Sequence, residues 1–176
     1  MTERSENSRN ERLPAETIQI RPMTDEDLDF LFRVYASTRL EEMSVTGWSE
    51  RQTEAFLRMQ FELQHTQYLQ NYPCASFDIV LIEGRPAGRL YVDRTEDGMR
   101  IIDIALLPES RGQGLGGWFM RGLIGEADAK GLTMSLHVEM HNPIREYYIK
   151  LGFKEIELRG AYYYMERKAA GRGKDA

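Results

Sequence analysis

At 176 residues, with 41% hydrophobic and 29% charged residues, the chain has the composition of one soluble globular domain of ordinary size. A net charge of −5 without any basic tract argues against nucleic acid and mildly favours cationic substrates. No window approaches ~18 consecutive apolar residues, so no membrane span is expected, and the single cysteine, Cys74, excludes an internal disulfide and suits a reducing cytoplasm.

In chain order, residues 1–14 are polar, lack the apolar core of a secretory signal and read as a disordered arm. Residues 17–21 alternate apolar and polar as a short strand. Thr24 followed by Asp25, Glu26 and Asp27 reads as a cap with acids in the first turn. It launches one helix through Leu28, Leu31, Phe32, Tyr35 and Leu40. Gly47-Trp48-Ser49 breaks that helix, and Ser49 caps a second one carrying Phe56, Leu57, Phe61, Tyr68 and Leu69. Strands at 77–82 and 90–92 are joined by the turn signature Glu83-Gly84-Arg85-Pro86, and Asp97-Gly98 leads as a tight hairpin into a strand at 99–107. After Pro108-Glu109-Ser110 comes Arg111-Gly112-Gln113-Gly114-Leu115-Gly116-Gly117, then a helical run from Trp118 that closes at Lys130-Gly131. A strand at 132–140, a short helix at 143–151 ended by Gly152, and a hairpin of 153–158 with 162–167 complete the chain. The order β-α-α-β-β-β-α-β-α-β-β predicts a mixed α+β sheet with helices on both faces, filling residues 15–168 as one domain before a flexible tail at 169–176.

The glycine-rich stretch is the chemical signal. A strand hands over to a helix through a loop with few side chains, and bare N–H groups at a helix N-terminus bind phosphates. A Walker loop is excluded, because no Lys occurs between residues 111 and 129. Gly112, Gly114 and Gly117 formally spell the dinucleotide fingerprint, with Glu139 near the place of a ribose-binding acid. That oxidoreductase reading is disfavoured: four strand candidates precede the loop, and about 60 residues after it are too few for a doubly wound domain. A third template, R/Q-x-x-G-x-G/A, is filled by Arg111, Gly114 and Gly116.

With the preceding Ile-Ala-Leu-Leu-Pro-Glu, this loop resembles the acyl-CoA loop of the GNAT superfamily of N-acetyltransferases. A second block, Asn142-Pro143-Ile144-Arg145-Glu146-Tyr147-Tyr148-Ile149-Lys150-Leu151-Gly152-Phe153, is similar to that family's N-P-A-x-x-L-Y-x-x-L-G-F helix. Ile144 and Tyr147 depart from the pattern but stay apolar. The resemblance is strong over about residues 99–155 and architectural elsewhere. It implies a mostly antiparallel sheet with splayed fourth and fifth strands, acetyl-CoA as cosubstrate, and acetyl transfer to a primary amine without an acyl-enzyme.

Carried over residue by residue, the resemblance implies that backbone amides of Gly112, Gln113, Gly114, Leu115, Gly116 and Gly117 wrap the pyrophosphate, with Arg111 adding charge or shaping the loop. Unpaired backbone groups of Leu106 and Leu107 would grip the pantetheine arm. Asn142 matches the Asn that contacts that arm, or else initiates a helix as Asn-Pro. Tyr148 matches the tyrosine that protonates the leaving thiolate: a thiol near ~8.5 and a phenol near ~10 lie close in acidity. For the base, Asp103 stands inside an apolar strand, costly to bury unless used or paired, with Arg100 the expected partner; Glu139 is on the neighbouring strand and Glu83 nearer a turn. Glu41, Glu42, Trp48, Gln60 and Gln64 suit an acceptor wall of acids and an aromatic, although a solvated helix end and an ordinary amphipathic helix explain them more simply. His65, His137 and His141 share no ligand spacing with a Cys or carboxylate cluster, so no metal is expected. The expected partner is a small-molecule or peptide amine, with neither membrane nor nucleic acid, and the final hairpin suits pairing in a homodimer. A non-catalytic CoA-binding sensor or scaffold is the rival, opposed by the presence of both Tyr148 and Asn142.

Overall fold

The computed structural model describes residues 17–171; the predicted arm at 1–14 and residues 172–176 of the predicted tail lie outside that range. The chain runs β1 (Ile18–Pro22), a 3-10 turn (Asp25–Asp27), α1 (Leu28–Ser37), α2 (Leu40–Ser44), α3 (Glu50–Asn71), β2 (Ser76–Ile82), β3 (Arg85–Arg94) and β4 (Gly98–Leu106). A second 3-10 turn (Pro108–Ser110) precedes α4 (Leu115–Lys130), β5 (Thr133–Glu139), α5 (Ile144–Lys150), β6 (Lys154–Arg159) and β7 (Tyr162–Arg167). The strands form one seven-stranded sheet in the order β1-β2-β3-β4-β5-β7-β6. Every neighbouring pair is antiparallel except β4 with β5. This is the mixed α+β architecture expected.

Two local differences have physical causes. The first predicted helix divides after Ser37, because the Ser37 and Thr38 hydroxyls donate back to the Val34 and Tyr35 carbonyls, each at 2.7 Å. The amides of Thr38 and Arg39 then bond three residues back, which tightens and ends the turn; Leu40 opens a separate short helix. The turn predicted at 83–86 contracts to Glu83-Gly84, both at positive φ (50° and 75°). That two-residue hairpin lets Arg85 and Pro86 join β3, which starts earlier than expected. The Ser49 cap forms as predicted: its hydroxyl accepts from the Gln52 amide, and the Gln52 side chain accepts from the Ser49 amide at 3.0 Å.

Because strand side chains alternate, consecutive residues feed two cores. Ile79 and Tyr91 join Phe30, Leu31, Val34, Leu57 and Phe61 beneath α1 and α3. Val80 and Val92 join Phe119, Met120, Leu123, Met134, Leu136 and Val138 beneath α4 and α5. Arg167 closes the far end with a bidentate bond to Asp128 (2.7 and 3.0 Å), and the Ala170 amide donates to the same carboxylate.

The feature that positions the site is a parting of strands. Parallel pairing of β4 with β5 covers only Gly98–Ile101 against Thr133–Leu136. At that point β4 carries a bulge: Tyr91 faces Asp103 while Val92 faces Ile101, leaving Ile102 as the extra residue. A bulge bends its strand and increases its twist, so the rest of β4 turns away from β5.

Candidate active site

A cavity of about 1000 Å³ occupies the gap between β4 and β5. At one end stands the start of α4. Gly112 and Gly114 adopt φ of 76° and 78°, in the left-handed region that favours glycine, and Gly114 occupies the helix N-cap. No side chain caps this terminus. The amides of Leu115, Gly116 and Gly117 open the helix and have no acceptor four residues back. A Cβ built on Gly112, Gly114 or Gly116 would meet nothing within 4 Å, so the terminus faces open space.

The loop is braced from behind. Leu115 is buried in the core, and Gln113 Nε2 donates to the Glu109 carbonyl at 3.1 Å. Arg111 Nε donates to the Leu106 carbonyl at 2.8 Å and Nη2 to Ser37 Oγ at 2.9 Å, tying loop, β4 and α1 together. Of the expected loop residues, Arg111, Gly114, Gly116 and Gly117 line the cavity. Gly112, Gln113 and Leu115 shape the loop outside it.

The Leu107 expectation fails. Its amide donates to the Ala87 carbonyl at 2.8 Å and its carbonyl accepts from Ser110, so both groups are spent on sheet and turn. The Leu106 carbonyl is taken by Arg111. With Leu107 turned toward β3, the alternation of an antiparallel ladder turns the Leu106 and Ile104 amides toward the gap.

Asn142, just before α5, and Tyr148 on it line the cavity. Asn142 Oδ1 accepts from the Ile144 amide at 3.0 Å, which is the helix-initiating arrangement. The Tyr148 phenol is pushed up to about 12, first by burial and then by the negative charge of Asp103 and the nearby Tyr147. Tyr147 lies over Gly117, where a Cβ would stand 2.8 Å from its hydroxyl.

The wall beneath α3 is polar. Asp103 pairs with Arg89, not with Arg100 as expected: Arg89 Nη2 reaches Asp103 Oδ2 at 2.5 Å and Gln64 Oε1 at 3.2 Å. Arg89 is only 4% exposed and lies over the Tyr91 ring. Burial works against its charge, but Asp103 beside it more than compensates and keeps it cationic. Arg100 instead donates to His137 Nδ1. The His137 pKa is lowered by burial and then by the adjacent Arg100 and Arg159 charges. Tyr35, Tyr68, Tyr72 and Tyr162 complete this wall, with Arg39 paired to Glu42 at 3.1 Å.

Of the expected acceptor residues, Glu42 and Gln64 reach this cavity, whereas Glu41 and Gln60 do not line it. Trp48 lies elsewhere: it stacks edge-on against Phe56 at 5.2 Å over a separate apolar hollow with Phe32, Leu40, Met43 and Leu57. Arg89, the Arg100–His137 contact and the tyrosine wall join the site without belonging to any of its sequence motifs. A charge inside an apolar strand run, as in Gly88-Arg89-Leu90-Tyr91-Val92, was the available signal.

The description "Acetyltransferase (GNAT) family" matches this chain over residues 38–153. The chain belongs to the GNAT acetyltransferase family. A Bacillus subtilis (strain 168) relative, whose name provisionally makes it a ribosomal protein bS18-alanine N-acetyltransferase, is 29% identical over 147 residues. The alignment covers 82% of this chain and 85% of the relative. Among solved structures, the PaiA N-acetyltransferase of Thermoplasma acidophilum in complex with coenzyme A matches with a TM-score of 0.63 at 22% identity, covering 86% of this chain and 98% of that one. The ribosomal-protein-S18-alanine N-acetyltransferase of Escherichia coli matches with a TM-score of 0.57 at 18% identity, covering 90% and 98%. At these identities the structures show a shared GNAT fold. Among the described residues no group of three His, Cys, Asp or Glu side chains is placed to hold a metal ion, and no helix is long and apolar enough to cross a membrane.

Proposed function

We propose that this GNAT protein transfers an acetyl group from acetyl-CoA to a primary amine by direct attack on the thioester. The observation that carries this reading is the shared cavity: an uncapped α4 N-terminus facing open space and the Tyr148 phenol line one continuous hollow. The first-turn amides suit a diphosphate, since unpaired N–H donors and the positive helix end both favour anions. Acetyl-CoA supplies the activated acyl group; the chain's own residues orient it and manage protons.

An amine near pKa ~10 arrives protonated and must lose a proton before attack. Asp103 is already engaged, its Oδ2 bonded to the buried Arg89 guanidinium. Glu139 lines the cavity on the same face of β5 as His137, and no cation bridges it among the described residues, so the base role passes to Glu139. The gap-facing Leu106 and Ile104 amides suit an oxyanion, where one donor is worth about 3 kcal/mol.

Tyr148 suits the departing sulfur. Full transfer from a phenol at about 12 to a thiolate near ~8.5 is about 5 kcal/mol uphill. The same burial raises the basicity of the sulfur, narrowing that gap. Tyr148 therefore acts as a hydrogen-bond donor that completes transfer as the C–S bond breaks.

The names of the bS18-alanine relatives add a peptide α-amine to the small-molecule amines as acceptor classes. Calorimetric titration with CoA, followed by thiol release from acetyl-CoA with alanine-initiated peptides and small amines, tests the proposal. Saturable CoA binding and amine-dependent release are expected; the absence of saturable binding overturns it.

A further inference from the structure

Arg100 stands on β4 just before the bulge, beside Ser135 of β5, and its side chain lines the cavity. The rings of Tyr72 and Tyr164 flank its guanidinium at 5.6 and 5.9 Å. One N–H reaches His137 Nδ1; Nε is buried without a partner. Among the described residues no carboxylate bridges it. The other arginines of the wall differ: Arg39 has Glu42, Arg89 has Asp103, and Arg111 is spent on a carbonyl and a hydroxyl. Arg121 is exposed to water.

His137 cannot serve as the missing counter-charge. It accepts from Arg100 at Nδ1, which leaves its proton on Nε2, so it offers the cavity a donor rather than an anion. Two aromatic faces soften the isolation of a cation, but they carry no compensating charge. A half-buried guanidinium with unused donors is a fork-shaped receptor for a carboxylate.

We propose that Arg100 receives a carboxylate borne by the acceptor, so that the acceptor amine comes from a molecule with an acid group close to it. This rests on the transferase reading above and names the acceptor class. A free amino acid and a peptide with an acidic side chain near its N-terminus share this chemistry.

The test compares acceptors matched except for that group: alanine against alaninamide, and an alanine-initiated peptide with Glu second against its Gln counterpart. Whichever arm shows preference for the acid identifies the source. The wild-type kcat/KM ratio of acid to neutral acceptor should be about ten- to hundredfold, the worth of one charged hydrogen-bonded contact. Arg100→Gln should bring that ratio near unity, chiefly through KM, and Arg100→Lys should restore part of it. CoA affinity of each variant checks that it is folded. A ratio near unity in both wild-type arms, or one that survives Arg100→Gln, overturns the proposal. If no amine turns over, calorimetry of the acid acceptors with CoA present decides: binding lost in Arg100→Gln supports the site while the transferase reading fails, and no binding overturns the site.

Discussion

Gly114→Ala, set beside Gly131→Ala, separates backbone strain from loss of the phosphate cradle. Both glycines have left-handed backbone, at φ of 78° and 71°, and a Cβ on either meets nothing within 4 Å. Each substitution therefore costs only the conformational penalty of an L-residue there, about 1–2 kcal/mol. For a domain of this size that is a fall in Tm of about 2–8 °C. Gly114 caps the start of α4 and lines the cavity, whereas Gly131 ends the same helix away from it. A methyl at 114 takes up open space at the helix N-cap, where an anion bound to the first-turn amides would lie. Losing one charged contact worth about 1.5–3 kcal/mol weakens CoA roughly ten- to hundredfold. Differential scanning calorimetry without ligand and titration calorimetry with CoA measure the two effects. Equal losses of Tm with a loss of CoA affinity confined to Gly114→Ala are expected. Wild-type affinity in Gly114→Ala, or an equal affinity loss in Gly131→Ala, refutes the cradle.

Tyr148→Phe should lower kcat by about 10²–10⁴-fold while the CoA Kd changes little, because a donor to the leaving group acts in the transition state; unchanged kcat removes its role. Glu139→Gln should lower kcat/KM at neutral pH, and the deficit should shrink as pH approaches the amine pKa, where solvent removes the proton unaided; a deficit constant with pH contradicts the base role. Asp103→Asn leaves Arg89 buried without its counter-charge and should cost about 3–5 kcal/mol in urea unfolding, and a loss under 1 kcal/mol would mean the pair is solvated. The Arg21 guanidinium, bonded at 2.7 Å through both nitrogens, is the main cause holding Asp27 at about 2, with the Thr24 amide assisting. Since the folded value lies below the unfolded ~3.9, its stabilisation is present above about pH 4 and lost as pH falls toward 2. Roughly 1–2 kcal/mol should disappear over that window, and Asp27→Asn should abolish this part of the acid sensitivity.

Much of this was legible because it is local. The Ser49 box, the Lys130-Gly131 stop and the glycine loop are written in residues three or four apart, where capping and turn chemistry decide the backbone. The cavity wall was not, because it is assembled across strands. Asp103 was expected beside Arg100, its neighbour along the strand, whereas its partner Arg89 comes from the adjacent strand. Trp48 was expected at the acceptor wall from its place after two acids. The first helix divides at Ser37 and Thr38, and Trp48, beyond the short helix that follows, packs on Phe56 instead. Hydroxyls bonding back to their own helix are a short-range signal, yet they compete with an apolar period that runs straight through them.

One inserted residue explains both the gap and the wall. In an unbroken strand, Met99, Ile101 and Asp103 would share a face, and the Asp103 carboxylate would enter the apolar core beneath α4. With Ile102 as the extra residue, the alternation reverses: Met99 and Ile101 stay in that core and Ile104 and Leu106 rejoin it, while Asp103 moves to the other face, within reach of Arg89. The sequence carries this reversal as Met99, Ile101, Ile104 and Leu106, an apolar spacing that slips by one. The same bulge ends pairing with β5, so backbone donors are freed at the place where the polar face changes hands. Opening the sheet and delivering a charged pair to the opening are therefore one event in β4, which ties the position of the proposed chemistry to the position of Ile102.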